Sequence, residues 1–312
     1  MLRFSRSLKL PVTVAIFDCG TNSVLLLIAR LQTDGRVKIL YQAVASPRLG
    51  KGLSGKGKLN PKAIARTLLA LKGLKKQSDR FKPGIFLALG TNVFRRAKDG
   101  RAVARHFEKE LGISFFVLSA AEEARLEFLG ATSGLRINSK VAVIDVGGGS
   151  SEVIWGQAGK IANKVSLEIG AVRLKEKFTP MNRYFETELQ KLRLEAAKTI
   201  GRLKLQKNYP LAVLTGGTAT SLAAFSLGLK KYKAEKVHGF NTTPKVLGEK
   251  VAKLSRLPLS QCRKTLSFDP ARADIIVPGG IILLEILKRL RIKKVVISDH
   301  GLRWGAAYAY FS

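Results

Sequence analysis

Phe17-Asp18-Cys19-Gly20-Thr21-Asn22-Ser23 and Ile144-Asp145-Val146-Gly147-Gly148-Gly149-Ser150-Ser151-Glu152 are two versions of one pattern: an apolar run, an acid, glycine, then hydroxyl residues. The runs before them, Val12 to Phe17 and Val141 to Ile144, predict buried strands, so each Asp falls where a strand ends and the chain turns back. Glycine there lets backbone N–H groups come close to a phosphate oxygen. Ser and Thr hydroxyls add donors, and the carboxylate can hold a hydrated Mg²⁺ against the same phosphate. One such loop is an ordinary strand turn. Two of matching pattern, 127 residues apart, point to a duplicated phosphate clamp.

Length and composition bound the rest. With 312 residues, 46% of them hydrophobic, the chain can bury substantial cores, and its length favours two domains over one. The formal charge is +33. Residues 1–156 carry 26 Lys and Arg against 11 Asp and Glu, and residues 157–312 carry 29 against 11, so the excess is spread over the body. Such a surface concentrates polyanions, whether polyphosphate, nucleic acid or anionic lipid; adaptation of a whole proteome to its medium is the bland alternative. Cys19 and Cys262 are the only cysteines, which gives no support to a disulfide framework or zinc site and makes a reducing cytoplasm the expected compartment. His106, His238 and His300 lie far apart, with no metal-binding spacing. Met1 to Leu10 is basic but lacks the apolar core and cleavage residues of a signal peptide. The longest apolar stretch, Ile275 to Leu287, is interrupted by Pro278-Gly279-Gly280 and carries Glu285, so no membrane span is expected.

Between the clamps, Val24 to Leu31 and Val37 to Ala43 read as strands joined by a turn at Thr33-Asp34-Gly35. Arg48 to Lys58 is rich in Gly and Lys, either a solvated loop or a basic lip over an anionic substrate. Asn60-Pro61 is a helix start, with Ile64, Leu68, Leu71 and Leu74 on the inner face. Ile85 to Leu89 is a strand, after which Gly90-Thr91-Asn92 leads to Arg95 and Arg96. An Arg can brace a phosphoryl group bidentately, though paired arginines in so basic a chain are also ordinary surface. Val103, Phe107 and Leu111 share a helix face ended by Gly112, and Ser114 to Leu118 is a strand. Ser119-Ala120-Ala121-Glu122 fits a capping box, which assigns Glu122 to structure and leaves Glu123 in the first turn, beyond a strand end. Glu123 could take a proton from an attacking water or could simply complement the helix dipole. In the second half, Phe185, Leu189, Leu192, Ala196, Ile200 and Leu203 predict a long amphipathic helix. Val213 to Thr220 reads as strand, Gly-Gly turn and helix start, a third place for an anion. Val295 to Ser298 is a last strand before a terminal helix.

The ordered set resembles the exopolyphosphatase/guanosine pentaphosphate phosphohydrolase family, within the actin, sugar-kinase and Hsp70 superfamily. It comprises Asp18 to Ser23, Gly90-Thr91-Asn92 through Arg95, Glu122 to Arg125, Asp145 to Glu152, Thr215 to Thr218, Arg272-Ala273-Asp274 and Ser298 to Arg303. The resemblance implies an α/β chain of two ribonuclease-H-like domains with an interdomain cleft, one spanning 1–125 plus about 301–312 and the other 126–300. It implies release of terminal phosphate from inorganic polyphosphate or from guanosine pentaphosphate in a cytoplasmic enzyme. By motif position Glu123 would be the water-activating base and Arg95 a phosphate ligand. Asn22, Ser23, Thr91, Gly147, Gly148, Gly149 and Ser150 would bind phosphate, and Asp145, Glu152 and Asp18 would serve the metal. The expected ion is Mg²⁺, with another divalent ion as substitute and K⁺ as a monovalent companion.

Departures from the family pattern are Ala120-Ala121, Thr21 in place of the commoner Ser, and Lys51 where an acid is frequent, which makes the lip more attractive to polyanions. Longer members carry further helical domains, so a two-domain form is expected to be less processive or to rely on a homodimer. The charge favours polyphosphate over guanosine penta- or tetraphosphate as partner. The rival readings are a non-catalytic sensor of the same ligands and a sugar or acetate kinase. A nucleic-acid binder is disfavoured because no dedicated motif appears.

Overall fold

The computed structural model describes residues 11–34, 36–53, 57–178, 183–204, 206 and 209–309. Met1 to Leu10, Gly35 of the first turn and residues 54–56 of the Gly/Lys loop therefore lie outside the described residues. The chain forms two compact units, Met1–Gly130 with Leu302–Ser312, and Ala131–Gly301.

In the first unit, β1 (Val12–Cys19), β2 (Val24–Leu31) and β3 (Val37–Ala45) form an antiparallel meander. Strands β4 (Ile85–Gly90) and β5 (Ser114–Val117) then add on the other side of β1, parallel to it, giving the order β3-β2-β1-β4-β5. Because successive side chains of a strand point to opposite faces, β1 feeds two cores at once. Ala15, Phe17 and Cys19 pack with Leu71, Phe94 and Phe107, on the side of α1 (Pro61–Asp79), α2 (Asn92–Arg96) and α3 (Gly100–Leu111). Val14 and Ile16 pack with Leu126 of α4 (Ala120–Thr132) and with Leu302, Trp304, Ala306 and Ala307 of the C-terminal helix, Leu302–Ala309. The local signals act as expected. The Asn60 side chain accepts from the Lys62 N–H at the start of α1, and Gly112 ends α3 with φ 62°.

The second unit repeats the plan. Strands β6 (Val141–Val146), β7 (Ser151–Gln157) and β8 (Lys160–Leu167) are an antiparallel meander. β9 (Leu211–Thr215) is parallel to β6, β10 is the short Asn241–Thr242, and β11 (Lys294–Ile297) is parallel to β9. The order is β10-β11-β9-β6-β7-β8. Setting β10 aside, both sheets have the ribonuclease-H-like arrangement, with the acid of each clamp near the end of the central first strand. Around this sheet lie α5 (Ala171–Phe178), α6 (Glu186–Ile200), α7 (Gly216–Ser226), α8 (Ala234–Val237), α9 (Pro244–Ser255), α10 (Leu259–Thr265) and α11 (Ile276–Arg289).

Two expectations need correction. Phe185, assigned to the buried face of α6, is instead its exposed N-cap, since the helix begins at Glu186; Leu189, Leu192, Ala196 and Ile200 do form the buried face. Pro278-Gly279-Gly280 does not interrupt the apolar stretch. Pro278 is the third residue of α11, where its missing N–H has no intrahelical acceptor to lose. The two glycines allow close approach: a Cβ at Gly279 would lie 2.7 Å from Thr218 Oγ1, and one at Gly280 2.4 Å from Val251 Cγ2. Among the described residues no helix is long and apolar enough to cross a membrane.

Candidate active site

In the first unit the predicted residues gather at the ends of β1 and β4. The Arg95 Nη1 donates to Glu123 Oε2 and, at 2.9 Å, to the Leu118 carbonyl, so the arginine is pinned between a carboxylate and the end of β5. Glu122 is occupied otherwise. It accepts from the Ser119 N–H at 3.0 Å and the Ser119 hydroxyl at 2.8 Å, while the Glu122 N–H reaches Ser119 Oγ at 3.2 Å. The capping box thus frees Glu123 for chemistry. Burial raises the Glu123 pKa above the usual carboxylate value, opposed by Arg95.

Asp18 is more extreme. Part-buried at the end of β1, it is pushed up to about 7, chiefly by desolvation; the Arg303 charge opposes the shift and the Glu123 charge adds to it. Arg303, 8% exposed, donates from Nη2 to Gln42 Oε1 at 2.6 Å. The turn after Asp18 is closed by a Gly20 N–H to Ser23 carbonyl bond of 2.9 Å, and Asn22 Nδ2 donates to Ser23 Oγ at 3.0 Å. The buried Thr91 hydroxyl donates to the Cys19 carbonyl at 3.3 Å, which ties the β4 end to the β1 end. The Arg48-Leu49-Gly50 stretch docks on the same turn: the Arg48 N–H meets the Asn22 carbonyl and the Gly50 N–H the Thr21 carbonyl, each at 2.9 Å. A Cβ at Gly50 would come within 2.3 Å of Thr21 Cγ2, so glycine is required for that approach.

In the second unit Asp145 and Glu152 are direct cross-strand partners of β6 and β7, which places both carboxylates on one face of the sheet. Glu152 accepts from Ser166 Oγ at 2.9 Å. Between them runs the glycine loop, closed by a Gly147 N–H to Ser150 carbonyl bond of 3.0 Å. Its carbonyls are taken by the start of α5, where Ala171 N–H meets the Gly147 carbonyl and Val172 N–H the Gly148 carbonyl, each at 2.9 Å. That leaves the carbonyls turned to the helix and fixes the loop's shape. The Asp145 carboxylate lies over the Gly-Gly turn: a Cβ at Gly216, whose φ is +76°, would sit 1.9 Å from Asp145 Oδ1.

Two arginines belong to these constellations that sequence reasoning quoted without a role. Arg272 lies flat over Gly217, where a Cβ would be 2.1 Å from Cζ, and Nε donates to Asp269 Oδ2 at 2.9 Å. Its signal was the Gly-Gly turn, which supplies room for a guanidinium as well as for an anion. Arg303 carried no signal before burial was known. Asp18, Asn22, Ser23, Thr91, Arg95 and Glu123 therefore share the first unit, and Asp145, Gly147 to Ser150 and Glu152 the second. Among the described residues no three His, Cys, Asp or Glu side chains form a cluster that could hold a metal ion by themselves. The Asp145–Glu152 pair suits Mg²⁺ nonetheless, since that ion keeps several waters and takes one or two carboxylates plus substrate phosphates.

The chain is similar to known proteins over nearly its whole length. Exopolyphosphatase 2 of Mycobacterium tuberculosis is 30% identical over 325 residues, covering 94% of this chain and 97% of that one. The bifunctional 3-dehydroquinate synthase/phosphatase of Fusobacterium nucleatum is 29% identical over 304 residues; the match takes in 94% of this chain and spans 46% of that longer protein. The crystal structure of the Aquifex aeolicus Ppx/GppA family member superposes with a TM-score of 0.79 at 30% identity, covering 96% of this chain and 97% of that one. That superposition takes in nearly the whole chain and so both sheets. Residues 27–311 match the Ppx/GppA phosphatase family, and the chain belongs to it.

Proposed function

We propose that the protein is an exopolyphosphatase that hydrolyses the terminal phosphate from inorganic polyphosphate with Mg²⁺ as its ion. The observation that carries this reading is Glu123, part-buried in the first turn of α4, held by Arg95 and raised in pKa by desolvation, which suits a general base. The similarity to Exopolyphosphatase 2 over nearly its whole length supports the substrate class, and a charge of +33 favours a long polyanion.

Glu123 accepts the proton of the attacking water, and Arg95 fixes its orientation. The guanidinium fork of Arg95 has further N–H donors suited to a phosphoryl oxygen. Asn22, Ser23 and Thr91 shape the first phosphate turn; Gly147, Gly148, Gly149 and Ser150 shape the second, with Arg272 beside the Gly-Gly turn. Asp145 and Glu152 would hold Mg²⁺, which when bound would neutralise charge growing on the terminal phosphate and its bridging oxygen.

The test is phosphate release by purified protein with Mg²⁺ on long-chain polyphosphate and on guanosine pentaphosphate, each beside Glu123→Gln. Release that depends on Glu123 supports a hydrolase, and the ratio of the two kcat/KM values names the substrate. Tight binding of either polyanion with no release would instead make the protein a sensor.

A further inference from the structure

His238 and His300, remote in sequence, stack with ring centroids 3.7 Å apart and planes 19° from parallel. His300 Nδ1 lies 3.0 Å from Ser133 Oγ and 3.2 Å from the Ser133 carbonyl. His238 Nδ1 lies 3.4 Å from Ser298 Oγ, and His238 Nε2 is buried with no hydrogen-bond partner among the described residues. The chain passes their edge at Gly134, φ +74°, where a Cβ would be 3.0 Å from His238 Nε2 and 3.5 Å from His300 Cε1. Residues 131–135 are the first of the second unit, and residues 297–301 are the last. The imidazole pair therefore fastens the stretch by which the chain enters this unit to the stretch by which it leaves. The same knot reaches the phosphate side. The His300 carbonyl accepts from Thr215 Oγ1 at 3.1 Å, and Thr215 is the sheet partner of Asp145.

Neutral imidazoles stack at little cost, but a proton on each sets two like charges in contact. A proton on His238 Nε2 would also lack an acceptor. Burial lowers the His238 pKa, against the opposing charge of Asp299, whose carboxylate accepts from the Tyr232 hydroxyl. Around the pair, 131–135 brings no titratable side chain before Arg136, α8 brings Glu235 and Lys236, and the stretch after β11 brings Asp299. A histidine lowered in the folded state binds less proton than in the unfolded chain. Its contribution is neutral above the unfolded value, near 6.5, and turns destabilising as pH falls below it.

We propose that the stacked His238–His300 pair is a proton-released clasp, which holds 131–135, 297–301 and Thr215 together when neutral and loosens them on acidification. Amide hydrogen exchange on the full chain at pH 7.5 and 5.5, corrected for intrinsic rates, tests it. In wild type, peptides covering 131–136 and 297–302 should lose protection on the order of tenfold at the lower pH. His238→Phe keeps a stacked ring without a titrating nitrogen and should abolish that loss. His106→Gln, a change at the exposed third histidine, should behave as wild type. Equal loss in His238→Phe, or none in wild type, overturns the proposal. Should the Phe variant fail to fold, His300→Gln serves the same comparison: persistence of the wild-type loss in it overturns the clasp.

Discussion

The two units set one sheet plan to opposite uses. Each places an acid near the end of its central strand, in front of a glycine turn, with a parallel strand alongside. In the first, the turn has one glycine, the acid's pKa is raised by desolvation, and Arg303 and a Glu123–Arg95 pair lie near enough to act on its charge. In the second, three glycines open the turn, a second carboxylate stands across the strand, and a further Gly-Gly turn makes room for Asp145 above and for Arg272 beside it. A carboxyl of raised pKa suits moving a proton, and a cross-strand pair of carboxylates suits a hydrated ion. A duplicated frame thus carries two different sets of polar groups.

The widest gap should open on replacing the base. Glu123→Gln should retain the fold and substrate binding yet lower kcat on the order of 10²–10⁴-fold, measured as phosphate release; turnover within about tenfold of wild type would remove the proton-handling role from the first unit. Next comes the part-buried acid itself, without divalent ions. Because Asp18 sits near 7 when folded against about 3.9 when unfolded, the folded chain keeps a proton that the unfolded chain has lost. Asp18 therefore destabilises increasingly as pH rises from about 4 to 7 and at a constant level above. Asp18→Asn should be more stable than wild type at pH 8, by roughly 2–4 kcal/mol, with the advantage vanishing by pH 4, while activity falls. A Tm difference that ignores pH would contradict the raised pKa of Asp18.

A smaller contrast concerns the glycines. Gly216→Ala must place a Cβ on Asp145 at positive φ, and should cost about 1–3 kcal/mol and displace that carboxylate. Gly20→Ala meets the Ser23 carbonyl at 3.3 Å and Thr91 Oγ1 at 3.9 Å, and should cost under about 1 kcal/mol. Chemical denaturation of the pair orders them, and equal costs would erase the asymmetry. The mildest effect is what the halves share. Their nearly equal basic excess predicts that KM for polyphosphate rises several-fold between roughly 50 and 200 mM salt. A flat response would detach the charge from substrate capture.

Much of this was legible because it is written locally. Continuous apolar runs announced β1, β4, β6 and β9, and Ser119 with Glu122 announced the start of α4. β8 stayed hidden because it lies at the edge of the described sheet, and Lys160, Asn163 and Lys164 break the apolar alternation that marks a strand. Pro278 was misread because a proline in a first turn and one in mid-helix look alike until the helix start is fixed. Arg272, Arg303 and the histidine stack could not be read, since each gains its meaning from a residue far away along the chain, and only the fold supplies that neighbour.

The helix Leu302–Ala309 completes the core beneath β1, although nearly all the rest of that core precedes residue 127. During synthesis at roughly 5–20 residues per second, the first unit must wait about 10–30 s for its last piece, with Val14, Ile16 and Leu27 uncovered on one face. The second unit is continuous in sequence, so its core is not divided in this way. The unit whose strands are made first is therefore closed by residues made last, and a chain without 302–309 would leave Val14, Ile16 and Leu27 on an open-faced sheet that invites chaperones.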